Sequence, residues 1–599
     1  MNPTMNARRF LAVLALAAFP AFLAAQPQPA EDWVARSDAN SARLMAVFAR
    51  FSPEAAGQFG IDGLDERIFQ LPPDFSEQTI EAVEGVLGAL RAELASEGHA
   101  AVRQDLEILI EAAEQTIEGT ELSDKYELPY FNLPQTIFQG VRSLLDDQIP
   151  AERRPAALVR LRRYAGLEEG YTPIAEQAEA FVRAQLGNAE LTGPFKEDLE
   201  KDLSNSPRFV GGIGQLFGKY ELAGYEPAYE ALQAQLADYE AFVRAEVLPR
   251  AREDFRLPAE QYAFNLKSVG IDMPVEELVS RAKVSFREIQ NEMQVLSGLI
   301  ASERGMASAD YRDVIRALKE EQLVGDAILP HYQERIKELE RLIDQHGVVT
   351  VPDREMRIRL ASEAESAQTP APNMRPPRMI GNTGEMGEFV LPLRIPSEDG
   401  TEEIGFDDFT FEAASWTLTV HEGRPGHELQ FASMVEKGVS QARVAFAFNS
   451  VNVEGWALYQ EAEMKPYLPL DGQLISLQHR LLRAARAFLD PGLQLGMLGR
   501  EEAYKVLEDD VVLSRAMASQ EVERYTFRSP AQATAYFCGY TRLTELRTDA
   551  ERLLGDAFDR QAYHDFILAQ GLLPPSLLRK AVLEEFVGPQ VKAGSGMKG

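Results

Sequence analysis

The sequence predicts a mostly α-helical fold with one small β element, and three observations carry that prediction. Val279, Ala282, Phe286, Ile289 and Met293 recur at alternating steps of three and four, as do Tyr229, Leu232, Leu236, Tyr239 and Val243. Each set lies on one face of a helix, the pattern of a stripe turned to the core. Between Thr369 and Gly387 the helical pattern stops: Pro370, Pro372, Pro376, Pro377, Gly381, Gly384 and Gly387 break it. The apolar run Glu388 to Pro396 then reads as a short strand, and Phe406 to Thr410 as a second, enough for a small hairpin or sheet.

Taken in order, the chain opens with Arg8-Arg9, an apolar run from Phe10 to Ala25 and the small pair Ala24-Ala25. Residues 1–25 therefore read as a secretory signal peptide. The run is short for a membrane span, which needs about 20 residues; the competing reading is an uncleaved anchor. No cysteine follows it, which argues against a lipid anchor, and no other long apolar run occurs. The expected mature protein has no integral membrane span and is periplasmic or secreted. Residues 26–368 form the N-terminal helical region, with breaks at Leu71-Pro72-Pro73, Asn205-Ser206-Pro207 and Gly270 to Pro274. Residues 369–592 form a second region, expected to pack with the first as one large unit. Pro392 assigns the first strand to a sheet edge, because proline donates no ladder bond. The tail 593–599 reads as disordered.

Composition narrows the partners. The 599 residues are 45 % hydrophobic and 26 % charged, an ordinary globular balance. With 93 acidic against 61 basic residues the net charge is −32, which repels phosphate backbones and makes nucleic acid a poor partner. The excess reads mainly as a solvated surface. Cys538 is the one cysteine, so no intrachain disulfide or zinc ribbon can form. Ser280 to Lys283 matches S-x-x-K but lies in an amphipathic helix without the companion motifs. Gly211 to Lys219 imitates a phosphate loop with the wrong glycine spacing and Tyr220 where Ser or Thr is required.

The chemistry concentrates in His421-Glu422-Gly423-Arg424-Pro425-Gly426-His427. Imidazole nitrogen is a preferred zinc ligand, and an adjacent carboxylate can take a proton from water. In H-E-x-x-H the histidines stand at i and i+4 on one face. Here they stand at i and i+6, about 120° apart on an ideal helix. They meet one metal only if the helix breaks, and Gly423, Pro425 and Gly426 supply the means. The alternative is a plain helix–loop junction with two incidental histidines. Glu454 and Glu461, two turns apart on a following helix, offer a third ligand and a carboxylate to orient one; otherwise they form a solvated acidic face.

These residues resemble a known family. His421 to Gln430 resembles the H-E-x-x-P-G-H-x-x-Q signature of the domain of unknown function 885 family, which is grouped with the gluzincin metallopeptidases. Glu454-Gly-Trp-Ala-Leu-Tyr459 resembles its second signature. Arg483 to Arg486 with Asp490 to Leu493 resembles a third. Glu523 to Tyr525, then Pro530 to Ala533 with Tyr536, Gly539 and Arg547, resembles its C-terminal block. The opening stretch Pro53 to Asp65 also fits, so the resemblance spans nearly all of the mature chain.

The resemblance implies a gluzincin-like helical fold with a small sheet flanking the metal helix. It implies His421, His427 and Glu454 as zinc ligands and Glu422 as general base. Tyr525, Tyr536 and Arg524 are the matching candidates to stabilise the oxyanion; each can equally be a structural hydrogen-bond partner. Two departures stand out: Gln494 replaces a usual histidine, and Glu428 stands where a second consecutive histidine is common. The expected activity is hydrolysis of short peptides by a zinc peptidase, with an extended substrate pairing along the strand Phe389 to Ile395. A zinc amidase or esterase acting on a non-peptide, or a weakened peptide-binding relative, are the competing expectations.

Overall fold

The computed structural model describes residues 33–369, 371–392, 394–396, 403–405 and 407–596, so the expected signal peptide lies outside the described residues. Both predicted stripes are core. Ala282, Phe286, Ile289 and Met293 are buried on the helix Val275–Arg304, with Val279 packed beside them. Leu232, Leu236, Tyr239 and Val243 are buried in a second cluster built almost wholly from the first half of the chain. The mostly helical expectation holds along the whole described length. No helix among the described residues is long and apolar enough to cross a membrane.

Local expectations fare unevenly. The break expected at Pro207 is absent: the helix Lys196–Lys219 runs through it. Ser206 on that helix is bonded through its hydroxyl to Glu240, and Leu203 and Phe209 are buried, so tertiary packing overrides the proline. The chain past 592 continues as helix backbone, Gly588–Gly596, and 597–599 lie outside the described residues.

The β content is two small sheets. Strands β1 (Arg357–Leu360), β2 (Asn373–Arg375) and β3 (Glu388–Leu391) form one, in the order β1-β3-β2. β1 runs parallel to β3 and β2 antiparallel to it. Strands β4 (Arg394–Pro396) and β5 (Glu403–Gly405) pair antiparallel. The strand read as an edge is thus the centre of its sheet. All four residues of β3 are buried, and Pro392 falls just past its last paired residue, where a missing N–H costs no ladder bond. Both edges of β3 are taken, so a substrate cannot add to it. The second expected strand is also displaced: residues 407–410 bend, and the strand is 403–405. Asp408 explains the bend, since its carboxylate binds Lys319 Nζ at 2.5 Å and accepts from Ser514 N at 3.1 Å. Residue 406 lies outside the described residues.

Because β1 comes from before residue 368 and β3 from after it, one sheet joins the two expected regions. After it in the chain come the buried helices that carry the signature residues: Glu412–Glu422, His427–Lys437, Ser450–Met464, Leu470–Gln494 and Ala535–Leu554. The first two have almost no solvated face. Helices buried all round belong to the middle of a large core.

Candidate metal centre

The helix break that the i, i+6 spacing demands is present. One helix ends at Glu422 and the next begins at His427. Gly426 permits the return: its N–H donates to Val420 O at 2.9 Å, and a Cβ there would stand 2.1 Å from His421 O. Only glycine fits so close to a carbonyl. The Arg424–Pro425 peptide is cis. Arg424, buried, clamps the loop by donating to Glu428 Oε2 at 2.7 Å, Glu340 Oε1 at 2.6 Å and Arg354 O at 2.5 Å. Trp456 Nε1 donates to Pro425 O at 3.0 Å, tying the loop to the helix of Glu454.

These contacts bring His421, His427 and Glu454 together, with one ligand atom from each lying within 4.8 Å of the others. Glu454 Oε2 is 3.2 Å from His427 Nε2 and 3.6 Å from His421 Nε2. Ligands about 2.1 Å from a tetrahedral zinc stand about 3.4 Å from one another, so the donor set has the size and chemistry for that ion. His421 Nδ1 meets Glu461 Oε1 at 2.7 Å, which leaves its Nε2 lone pair facing the group. His427 Nδ1 is buried without a hydrogen-bond partner among the described residues, and its ring packs edge-on against His421. Burial pushes the Glu454 carboxyl up, but the hydrogen bonds of His421 and His427 outweigh it and hold the group well below the usual carboxylate range.

Glu422 is buried beside this trio, and burial pushes its carboxyl up to about 7, with Glu454 adding and His427 opposing. Such a group exchanges a proton readily near neutrality. Tyr536 stacks on His421, ring centroids 6.1 Å apart and planes within 12°. Arg524 Nη2 donates to Tyr536 Oη at 2.9 Å and to Gln532, whose Nε2 donates to Glu454 Oε1 at 3.3 Å. Tyr536 and Arg524 are therefore both at the site. Tyr525 is not aimed at it: its hydroxyl donates to Glu521 Oε2 at 2.6 Å, deep in the core. Gln494 also serves the framework, donating to Tyr525 O and Thr526 O and accepting from Leu257 N. Glu428, fully buried, is the partner of Arg424.

Other contributors had no assigned role in the sequence. Thr417 Oγ1 donates to Glu461 Oε2 at 2.7 Å, and Arg483 Nη2 stands 3.6 Å from Glu461 Oε1. Burial raises Glu461, but Arg483 and then His421 hold it down at about 2, so it stays ionised behind His421. His479, buried 3.9 Å from the same carboxylate, is pushed down to about 3 by burial and by Arg483. Thr417 lies four residues before His421, one turn away, which is a readable signal. His479 gives none, since nothing in its local pattern marks the contact. Gln532 sits in the C-terminal block, but its reach to Glu454 depends on tertiary packing.

The model of a family described as bacterial protein of unknown function (DUF885) matches residues 53–582. The chain belongs to the DUF885 family. Two solved structures share its fold. One is a candidate lipoprotein of unknown function from Shewanella oneidensis, 18 % identical, covering 92 % of this chain and 100 % of its own, with a TM-score of 0.67. The other is a candidate lipoprotein from Colwellia psychrerythraea, 18 % identical, covering 92 % of this chain and 99 % of its own, with a TM-score of 0.70. No curated protein matches the chain. For this DUF885 member the fold and family are thus fixed, and the chemistry must be argued from the site.

Proposed function

We propose that this DUF885 protein is a zinc-dependent hydrolase of amide bonds in short peptides. The observation that carries the reading is the convergence of His421 Nε2, His427 Nε2 and Glu454 Oε2 with Glu422 adjacent on the first ligand helix. Zinc held by these three ligands would supply Lewis acidity toward a carbonyl and make water easier to deprotonate. Glu422 is the base that accepts the proton of the attacking water and returns it to the leaving amine. The Tyr536 hydroxyl and the Arg524 guanidinium bonded to it are donors beside the trio, suited to the negative charge that develops on the carbonyl oxygen. Tyr536 is held for this by Arg524 and by stacking on His421. An exported address is part of the proposal, supported by the basic and apolar N-terminal run and in keeping with the lipoprotein designation of the two fold relatives.

The test is a peptide-library digest by wild type and Glu422→Gln, with metal content measured on both. The expected result is about one zinc per chain in each protein and cleavage lowered at least ~100-fold in the variant. A protein that takes up no metal after reconstitution overturns the reading. Zinc uptake with hydrolysis of non-peptide amides or esters alone moves the substrate class and keeps the site.

A further inference from the structure

Tyr536, the phenol beside the metal trio, is gripped at more than its hydroxyl. Its ring is buried and stacks on His421. The guanidinium carbon of Arg486 stands over that ring, 4.4 Å from the centroid, closer than those of Arg524 at 5.2 Å and Arg483 at 5.7 Å. Arg486 and Arg483 are three residues apart on the helix Leu470–Gln494 and so share one of its faces. A guanidinium within about 6 Å of a ring centroid is attracted by the electrons of the ring, more strongly where water is excluded.

Arg486 is in turn fixed from behind. Its Nε and Nη2 donate to Glu521 Oε2 and Oε1 at 2.7 and 2.6 Å, a two-armed pair between buried groups. Its Nη1 is buried with no hydrogen-bond partner among the described residues. Glu521 also accepts from Tyr525 Oη at 2.6 Å, and Arg524 Nη1 stands 3.9 Å from its Oε1. Burial pushes the Glu521 carboxyl up, but Arg486 outweighs it and holds the group at about 2, so the pair is ionised. An ion pair this deep adds little to stability, because desolvation offsets the attraction, and apolar groups of the same volume often pack as well. Such groups would lack a planar cation over Tyr536. Lysine would lack it too, since only a forked, planar cation can hold both carboxylate oxygens and cover a ring.

We propose that Arg486 is a positioning residue for Tyr536: Tyr525 and Glu521 hold its guanidinium over the phenol, which fixes the ring against His421 and leaves Arg524 to aim the hydroxyl. The inference rests on the hydrolase reading for its effect on turnover, and on the packing alone for its effect on the ring. It also gives Tyr525 a part in the site without contact to it.

The experiment places a singly fluorinated tyrosine at position 536 of the full chain and reads its fluorine resonance, with and without added zinc. Arg486→Met with Glu521→Gln removes both charges together and keeps an acceptor for Tyr525. The expected result is a resonance that shifts and broadens in this variant as the ring gains freedom, with zinc uptake and circular dichroism as in the parent. If the pair of substitutions melts early, Arg486→Lys, which keeps the charge and loses the planar face, carries the comparison. An unchanged resonance overturns the positioning role, whatever the activity. On any peptide that the wild type cleaves, the variant is expected to lower kcat about 10–100-fold with KM unchanged. In a Tyr536→Phe background the same substitutions are expected to lower kcat no further, because both losses act through one hydroxyl. Losses that multiply instead would show that Arg486 acts on turnover by another route and overturn the role. If no peptide is cleaved the hydrolase reading falls, and the resonance still decides the positioning.

Discussion

His421 is held from both ends of its ring. Nε2 faces Glu454, and Nδ1 meets the fully buried carboxylate of Glu461, which Thr417 and Arg483 keep in place. A ligand histidine fixed in this way has one tautomer and one orientation. Glu461→Gln is therefore expected to weaken zinc binding about 10–100-fold with little change in fold, read by competition with a chromophoric chelator. An unchanged affinity would place Glu461 outside the metal's influence. The residue scale also shows what the sequence hides. The site could be read because His421 and His427 lie in one seven-residue stretch, the Gly-Arg-Pro-Gly insert between Glu422 and His427 advertises the break, and Glu454 opens a marked segment on a following helix. The roles of Tyr525 and Tyr536 could not. Tyr525 follows Glu521 by one helical turn and bonds to it, whereas Tyr536 begins the next long helix and reaches His421. Which phenol faces the site depends on how two helices are rotated against each other, and no local pattern encodes that rotation.

At the scale of elements, the site is a meeting of helices brought unusually close. Gly455 and Gly539 are the point of contact: a Cβ on Gly455 would stand 2.5 Å from Gly539 Cα, and one on Gly539 would stand 2.0 Å from Val451 O. The helix of Glu454 and the helix of Tyr536 thus touch backbone to backbone, at the residue after Glu454 and about one turn past Tyr536. Gly539→Ala is expected to cost about 1–3 kcal/mol in urea unfolding and to lower zinc affinity as well, because Glu454 moves with its helix. Loss of stability with metal affinity intact would show that the contact serves packing alone. The helices were readable from apolar periodicity because each long one packs a stripe. The small sheet was readable only as to its presence. Which strand lies at its centre is settled by β1 and β2, partners separated from β3 by non-local pairing, and a proline just beyond a strand looks the same in sequence as one within it.

At the scale of the whole molecule, distant segments are tied to the metal half through buried polar groups. Asp105, with no solvent exposure, accepts from Ser37 Oγ at 2.5 Å, Ser440 Oγ at 2.6 Å and Arg443 Nε at 2.8 Å. It joins the N-terminal helices to the segment that precedes the helix of Glu454. Asp105→Ala leaves the Arg443 charge buried without its carboxylate, an expected loss of about 3–5 kcal/mol in chemical unfolding. A loss under about 1 kcal/mol would show that Gln104 and Gln570 suffice as partners for Arg443.

His564 sets part of the pH dependence. Its Nδ1 donates to Val348 O at 2.7 Å and its Nε2 accepts from Tyr459 Oη at 2.8 Å, an arrangement that requires the neutral ring. Burial pushes it down to about 3. The unfolded chain takes up a proton near the ordinary value, about 6.5, while the folded chain does not. The contribution of His564 is therefore complete above about 6.5 and is lost progressively as pH falls from there toward 3. Between pH 7 and pH 5 the wild type should lose about 2 kcal/mol that His564→Gln does not lose, measured by urea unfolding of both proteins at the two pH values. Parallel losses would assign the pH dependence to other groups.

The bond from Trp456 to Pro425 also makes the protein its own optical gauge. The chain has three tryptophans, and Trp456 is buried with its indole N–H on the loop that turns His427 toward Glu454. Trp33 lies beside Arg443, and Trp416 beneath Arg335. With Trp33 and Trp416 replaced by phenylalanine, the remaining emission comes from a single fluorophore bonded to the backbone between the two histidines. Any ion that settles among those side chains, or any substitution that loosens the loop, then becomes visible as a change in colour or lifetime, with no label and no substrate.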